Sequence, residues 1–136
     1  MGDEMRRLKL LIISLFILSG LYVSHANSGS PPLGNTGAPG EQTCNNCHEG
    51  SVNSGKGRLV ILNVTAEYTP NSKYRIDLVL EDPEALRWGV ELTVVDGSGA
   101  SAGTLQLLDS VTTELRAGQA DGKNRTYLVN TIAGNY

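Results

Sequence analysis

Cysteine is almost absent from this sequence, which holds only Cys44 and Cys47. That excludes a disulfide-rich scaffold, in which several cross-links make up for a small core. Methionine occurs only as Met1 and Met5, and histidine only as His25 and His48. Aromatic residues are sparse, with one Trp, one Phe and five Tyr. Neither sign of charge gathers into runs, so neither nucleic acid nor anionic lipid is expected as a partner. No nucleophile elbow or phosphate-cradling loop is expected either.

The N-terminus is built differently from the rest. Arg6, Arg7 and Lys9 precede a mainly apolar stretch over 10–18, the charged and hydrophobic regions of an export signal. Ser24-His25-Ala26 places small residues where a signal peptidase reads, so cleavage is expected after Ala26. Residues 1–26 are therefore read as a signal peptide, and the chain as periplasmic, surface-bound or extracellular. The alternative is a retained anchor, but the apolar run falls short of the roughly 20 residues that span a bilayer. No stable membrane span is expected after cleavage. Residues 27–136 hold one histidine, no methionine, eight Lys and Arg, and twelve Asp and Glu. A chain of that length is one domain with a modest core.

Residues 27–43 are rich in Gly, Pro and Ser and read as a flexible arm. Residues 44–57 are a small, polar loop carrying both cysteines. Beyond Gly57 short β-branched runs alternate with turn residues. The spacing predicts strands at Arg58–Thr65, Lys73–Leu80 and Leu86–Val95, and weaker ones at Thr104–Leu108, Val111–Leu115 and Arg125–Thr131. In the second, Tyr74, Ile76, Leu78 and Leu80 share one face. In the third, Trp88, Val90, Leu92 and Val94 are expected inward, with Arg87, Glu91 and Thr93 outward. The joints at Thr69-Pro70-Asn71, Asp82-Pro83, Asp96-Gly97-Ser98-Gly99 and Asp121-Gly122-Lys123-Asn124 recur at sandwich-like intervals. The fold class is thus mainly β, an antiparallel β-sandwich over 58–136. Six strands are countable, one short of the minimal immunoglobulin-type set, so the last strands are expected to be missing from this sequence.

Cys44 and Cys47 are followed at once by His48, which makes a Cys-x-x-Cys-His motif. In c-type haem attachment two thiols at this spacing add across the two porphyrin vinyl groups, and the adjacent histidine lies under the iron. Each residue then does something different. Cys44 and Cys47 are the thioether anchors of one haem c, and His48 is its axial iron ligand. The export signal agrees, because such attachment takes place outside the bacterial inner membrane. Three alternatives remain. A Cys44 to Cys47 disulfide is permitted in an oxidising compartment but leaves His48 without a role. A thioredoxin-like motif wants its first cysteine at a helix N-terminus. Zinc wants a fourth ligand, such as Glu41 or Glu49.

With neither methionine nor a second histidine after residue 26, a His/Met cytochrome is excluded. The iron is left five-coordinate, or ligated by water, lysine, the new N-terminal amine or another chain. Lys56 and Arg58 are candidates to pair with haem propionates. Trp88 is a candidate to stack on a porphyrin, although a lone inward Trp usually serves the core. Asp109, Glu114 and Asp121 show no paired-carboxylate logic.

The residues Gly34-Asn35-Thr36-Gly37-Ala38-Pro39-Gly40-Glu41-Gln42-Thr43-Cys44-Asn45-Asn46-Cys47-His48-Glu49-Gly50 resemble the opening of bacterial exported domains of the Reeler-like, choice-of-anchor V kind. Arg87-Trp88-Gly89-Val90-Glu91-Leu92-Thr93, with Asp96, Gly99 and Ala102-Gly103, resembles that family's central block, and 127–134 its late strand. The resemblance implies an immunoglobulin-like sandwich with an N-terminal haem loop. In the family a histidine commonly stands where this chain has Asn130, and that departure leaves the second axial position unfilled. The function expected is electron transfer or redox sensing with a protein partner, more a carrier than an enzyme, with small-ligand binding or weak peroxidase chemistry open to a five-coordinate iron. A haem-free adhesion or interaction module is the alternative.

Overall fold

The computed structural model describes residues 29–136. The expected signal peptide and the first arm residues, 27 and 28, lie outside the described residues. Among the described residues the chain is mainly β, with no α-helix, and all strand pairing is antiparallel. No described helix is long and apolar enough to cross a membrane.

Among the described residues five strands form two sheets. Strands β1 (Arg58–Leu62) and β2 (Asp77–Glu81) make a two-stranded ribbon, while β3 (Glu91–Thr93), β5 (Lys123–Asn130) and β4 (Thr113–Ala120) make a three-stranded sheet with β5 in the middle. In the ribbon Leu59 faces Leu80 and Ile61 faces Leu78, so one face is entirely aliphatic. That face is half open, with Leu59 56% and Ile61 47% exposed.

Strands β4 and β5 form a hairpin whose ladder runs unbroken from Thr113↔Asn130 to Ala120↔Lys123. The turn between them is Asp121-Gly122, with φ of 48° and 72°. Two left-handed residues in a two-residue loop match the twist of the flanking strands, and the Asp-Gly pair tolerates them. The turn falls where the sequence predicts one. The strand leading into it, expected over Val111–Leu115, instead runs on through Arg116-Ala117-Gly118-Gln119, weak β formers drawn into register by the hairpin and by β5. Thr104–Leu108, expected as a strand, is irregular, and Leu86–Val95 contributes only β3 and a bridge from Val95 to Ser101.

The core is small and lies on one side of β5. Among the described residues Tyr127 and Val129 are fully buried, and Ala120 is the other buried apolar residue. Glu91, expected outward, is half-buried and lies opposite Val129. What covers this side is the segment before the motif. Residues 29–43 have the irregular backbone their composition predicts, yet they are tied to the sheet. Leu33 approaches Tyr127 across Gly118, where a Cβ would fall 2.9 Å from Tyr127 Cε2 and 3.1 Å from Leu33 Cδ1. The Gly118→Ala variant is expected to lose about 1–3 kcal/mol of stability through overpacking, read as a lower midpoint in urea unfolding. A midpoint equal to the parent's would mean that Leu33 does not pack there.

Candidate functional site: the Cys44–His48 turn and its cleft

The motif is held from behind. Glu41, three residues before Cys44, turns its carboxylate inward against β5, where its side chain is 0% exposed and that of Arg125 is 1% exposed. One carboxylate oxygen accepts from Arg125 Nη1 and, at 2.6 Å, from the Tyr127 hydroxyl. The other accepts from the Thr36 amide at 3.2 Å and the Thr36 hydroxyl at 2.5 Å. Arg125 completes its valence on backbone, donating to Gly99 O at 2.9 Å and Pro39 O at 2.6 Å. Among the described residues every buried side-chain nitrogen and oxygen has a partner.

Burial pushes the Glu41 carboxyl up, but hydrogen bonds from Thr36, Tyr127 and Arg125 outweigh it, and its pKa lies below the ordinary 4.5. Burial and the Glu41 carboxylate together push the Tyr127 phenol up to about 12. Glu91 is the second anchor. Its two oxygens accept from the Gly34 amide at 2.7 Å and the Asn35 amide at 3.0 Å. Burial raises its pKa, the two amides oppose the rise, and the charge of Glu41 adds to it.

Between these anchors the backbone closes on itself, with Gly37 N bonded to Gln42 O at 2.8 Å and Gln42 N to Gly34 O at 3.0 Å. The chain leaves this closed loop at Thr43 and enters a single 3-10 turn, Cys44–Asn46. Cys47 N and His48 N both return to Cys44 O, at 3.3 and 3.0 Å. Both thiols are free and exposed, and the Cys44 thiol contacts Asn35 O at 3.9 Å. His48 is exposed as well. One turn too short to be a helix is what the polar sequence around the motif leads one to expect, and it offers no helix terminus of the thioredoxin kind.

Cys44 and His48 line a cleft of about 400 Å³, within the range of roughly 300–1,000 Å³ found for small-molecule and cofactor sites. Its apolar lining comes from Leu59 and Leu80 of the ribbon with Val52 and Val90. Glu49 and Glu91 also line it. Cys47 is not among the lining residues, and neither is Trp88, which is half-buried and donates its amide to Asn135 O at 3.0 Å. Lys56 is paired with Glu84 and Arg58 with Glu81, each at 2.5 Å and each exposed. Exposed pairs of this kind hold their partners weakly, so both cations remain available to another anion.

The zinc alternative loses one of its two candidate fourth ligands, since Glu41 is committed to Arg125. Among the described residues no group of three or more His, Cys, Asp and Glu side chains is placed to hold a metal ion. Asn130 is 3% exposed and serves the structure. Its oxygen accepts from Val90 N at 2.9 Å, and its nitrogen donates to Gly29 O at 3.1 Å and to Asn135.

Sequence reasoning missed Arg125, Tyr127 and Glu91. A signal was present: Arg125, Tyr127 and Val129 alternate along one strand, and an arginine on an inward face requires an anion. It also passed over Gly99-Ala100-Ser101-Ala102-Gly103, which has nucleophile-elbow spacing. No helix follows this stretch, and the Ser101 hydroxyl accepts from Thr126 N at 3.0 Å on an isolated bridge. The context of an elbow, strand to turn to helix, is lacking.

Glu41→Gln leaves the Arg125 charge buried without its counter-ion and is expected to cost about 3–5 kcal/mol, measured by urea unfolding at neutral pH. Because the folded pKa of Glu41 is depressed, its contribution is complete above 4.5 and is lost as pH falls through the folded value. The variant should therefore show a flatter loss of stability in acid than the parent. Tyr127 has the opposite limb. Its neutral phenol stabilises the fold below pH 10, and that contribution is lost as pH rises toward about 12. Alkaline unfolding should accompany the last tyrosine ionisation seen by ultraviolet absorbance, and Tyr127→Phe should remove that step.

No family model matches the sequence, no curated protein matches it, and no solved structure matches the fold.

Proposed function

We propose that this chain is an exported c-type monohaem protein that transfers electrons or senses redox state outside the cytoplasm, on an immunoglobulin-like sandwich of the Reeler-like kind. The observation that carries the reading is that Cys44 and His48 line one cleft together with the apolar side chains of Leu59, Leu80, Val52 and Val90. An apolar plate beside an imidazole needs such a lining, and both cysteines are free of a disulfide and exposed.

In this reading Cys44 and Cys47 would hold the haem through thioether links to its vinyl groups, an addition that requires no oxidant. His48 would supply a nitrogen ligand to the iron. A bound haem would supply a one-electron couple at iron. The protein's part is to hold the imidazole, exclude water with the ribbon leucines and offer Lys56 and Arg58, whose exposed ion pairs exchange readily, to the propionates. The carboxylate of Glu91 on the cleft wall opposes a negative charge beside it. The redox partner is a protein that reaches the open side of the turn.

A haem-free interaction module is the second reading. It is favoured by the position of Cys47 outside the cleft lining and by the exposed aliphatic ribbon. The two separate on expression in a host with c-type maturation machinery. Under the haem reading the protein band keeps its haem stain after boiling in detergent, Cys44→Ser with Cys47→Ser abolishes the stain, and His48→Ala keeps the stain but shifts the Soret band. An unstained band from exported protein sinks the haem reading and leaves the interaction module.

A further inference from the structure

The outer edge of β4 is the longest unpartnered strand edge among the described residues, and its residues are arranged so that it complements itself. The hairpin fixes which backbone groups point outward. Thr112 O accepts from Thr131 N on β5, so by alternation along the antiparallel ladder the even-numbered residues of β4 face β5 and Thr113, Leu115, Ala117 and Gln119 present their N–H and C=O groups to solvent. Strand edges are ordinarily blunted by proline, a bulge or an inward charge. Strand β4 has no proline and its register with β5 runs over all eight residues without a bulge.

We infer that β4 is a self-association edge, pairing antiparallel with β4 of a second copy about a two-fold axis at Leu115. Two independent features fit that axis. On one face it sets Glu114 opposite Arg116 of the second copy, and Arg116 opposite Glu114 of the second copy. These two side chains are already paired at 2.6 Å within one chain and are each somewhat over two-fifths exposed, so association closes an alternating square of four charges. On the other face Leu115 is in register with Leu128, and Leu128 with Leu92. The axis joins Leu115 to its own copy and carries this leucine row unbroken across both three-stranded sheets. Leu115 is 36% exposed and Leu92 and Leu128 are half-buried, so the row has area left to cover. Moving the axis to Ala117 sets Arg116 against Gly118 and breaks the row. The other edges offer less: β3 has three residues, and a two-fold on β1 at Val60 sets Arg58 against Leu62.

The test is sedimentation of the purified full chain over a range of concentrations, with Arg116→Glu and with Glu114→Arg combined with Arg116→Glu. The parent is expected to dimerise. Arg116→Glu places like charges opposite each other twice and should weaken the dimer by about tenfold or more, while the double exchange restores the alternating square and should recover it. Leu115→Pro removes an outward N–H that β5 does not use and should give a monomer with unchanged circular dichroism. A parent that stays monomeric overturns the inference. So does a dimer that Arg116→Glu leaves intact, which would place association elsewhere, for instance on residues 1–28.

Discussion

The buried contact between Glu41 and Arg125 is the constraint on which the rest of the structure depends. It joins residues 84 positions apart, and everything on the covered side of β5 is organised around it. A charge pair removed from water gains little unless its remaining hydrogen-bonding positions are filled. Here they are: Thr36 and Tyr127 complete the carboxylate, and the carbonyls of Gly99 and Pro39 complete the guanidinium. The pair is therefore less a source of net stability than a locator. It admits one placement of the loop that carries it, and Cys44 begins three residues further on.

The division of labour across the chain follows. One sheet face, with Arg125, Tyr127 and Val129, is spent on holding the N-terminal segment. The ribbon of β1 and β2 is not called on for that purpose, and Leu59 and Leu80 of its aliphatic face are free to line the cleft. Glu91 belongs to both regions. Its carboxylate fixes the backbone at Gly34 and Asn35 and at the same time lines the cleft, so the segment before the motif and the wall behind it are tied through one side chain.

Much of this was legible in the residues and some was not. Period-two alternation located the ribbon's second strand, because half-buried strands must alternate, although the strand begins at Asp77 and not at Lys73. The Asp121-Gly122 turn was legible because few pairs tolerate two left-handed residues in succession. The motif Cys44, Cys47 and His48 stands out in the sequence because its spacing is itself the signal. The segment 29–43 looked unattached, since composition reports what a stretch can bury and is silent on what it can bond. Its anchors are long-range polar contacts, Glu41 to Arg125 and the Gly34 amide to Glu91, and nothing local in either sequence neighbourhood points to the other. For the same reason Glu91 reads as an outward residue of an amphipathic strand until its partners are known. Strand β4 extends through weak β formers because register with β5 overrides local preference, a tertiary effect that no window of sequence contains.

The separation between the motif and its anchor has a temporal side. A chain made from its N-terminus exposes Cys44, Cys47 and His48 long before Arg125 exists to receive Glu41. Contacts across such a distance also form late in folding, because closing the loop costs entropy before it returns any contact. There is thus an interval in which the thiols sit on an unstructured segment, open to any chemistry that must reach both sulfurs at once, and a later moment at which β5 forms and fixes the turn against the cleft. The order of residues along the chain sets the order of those events.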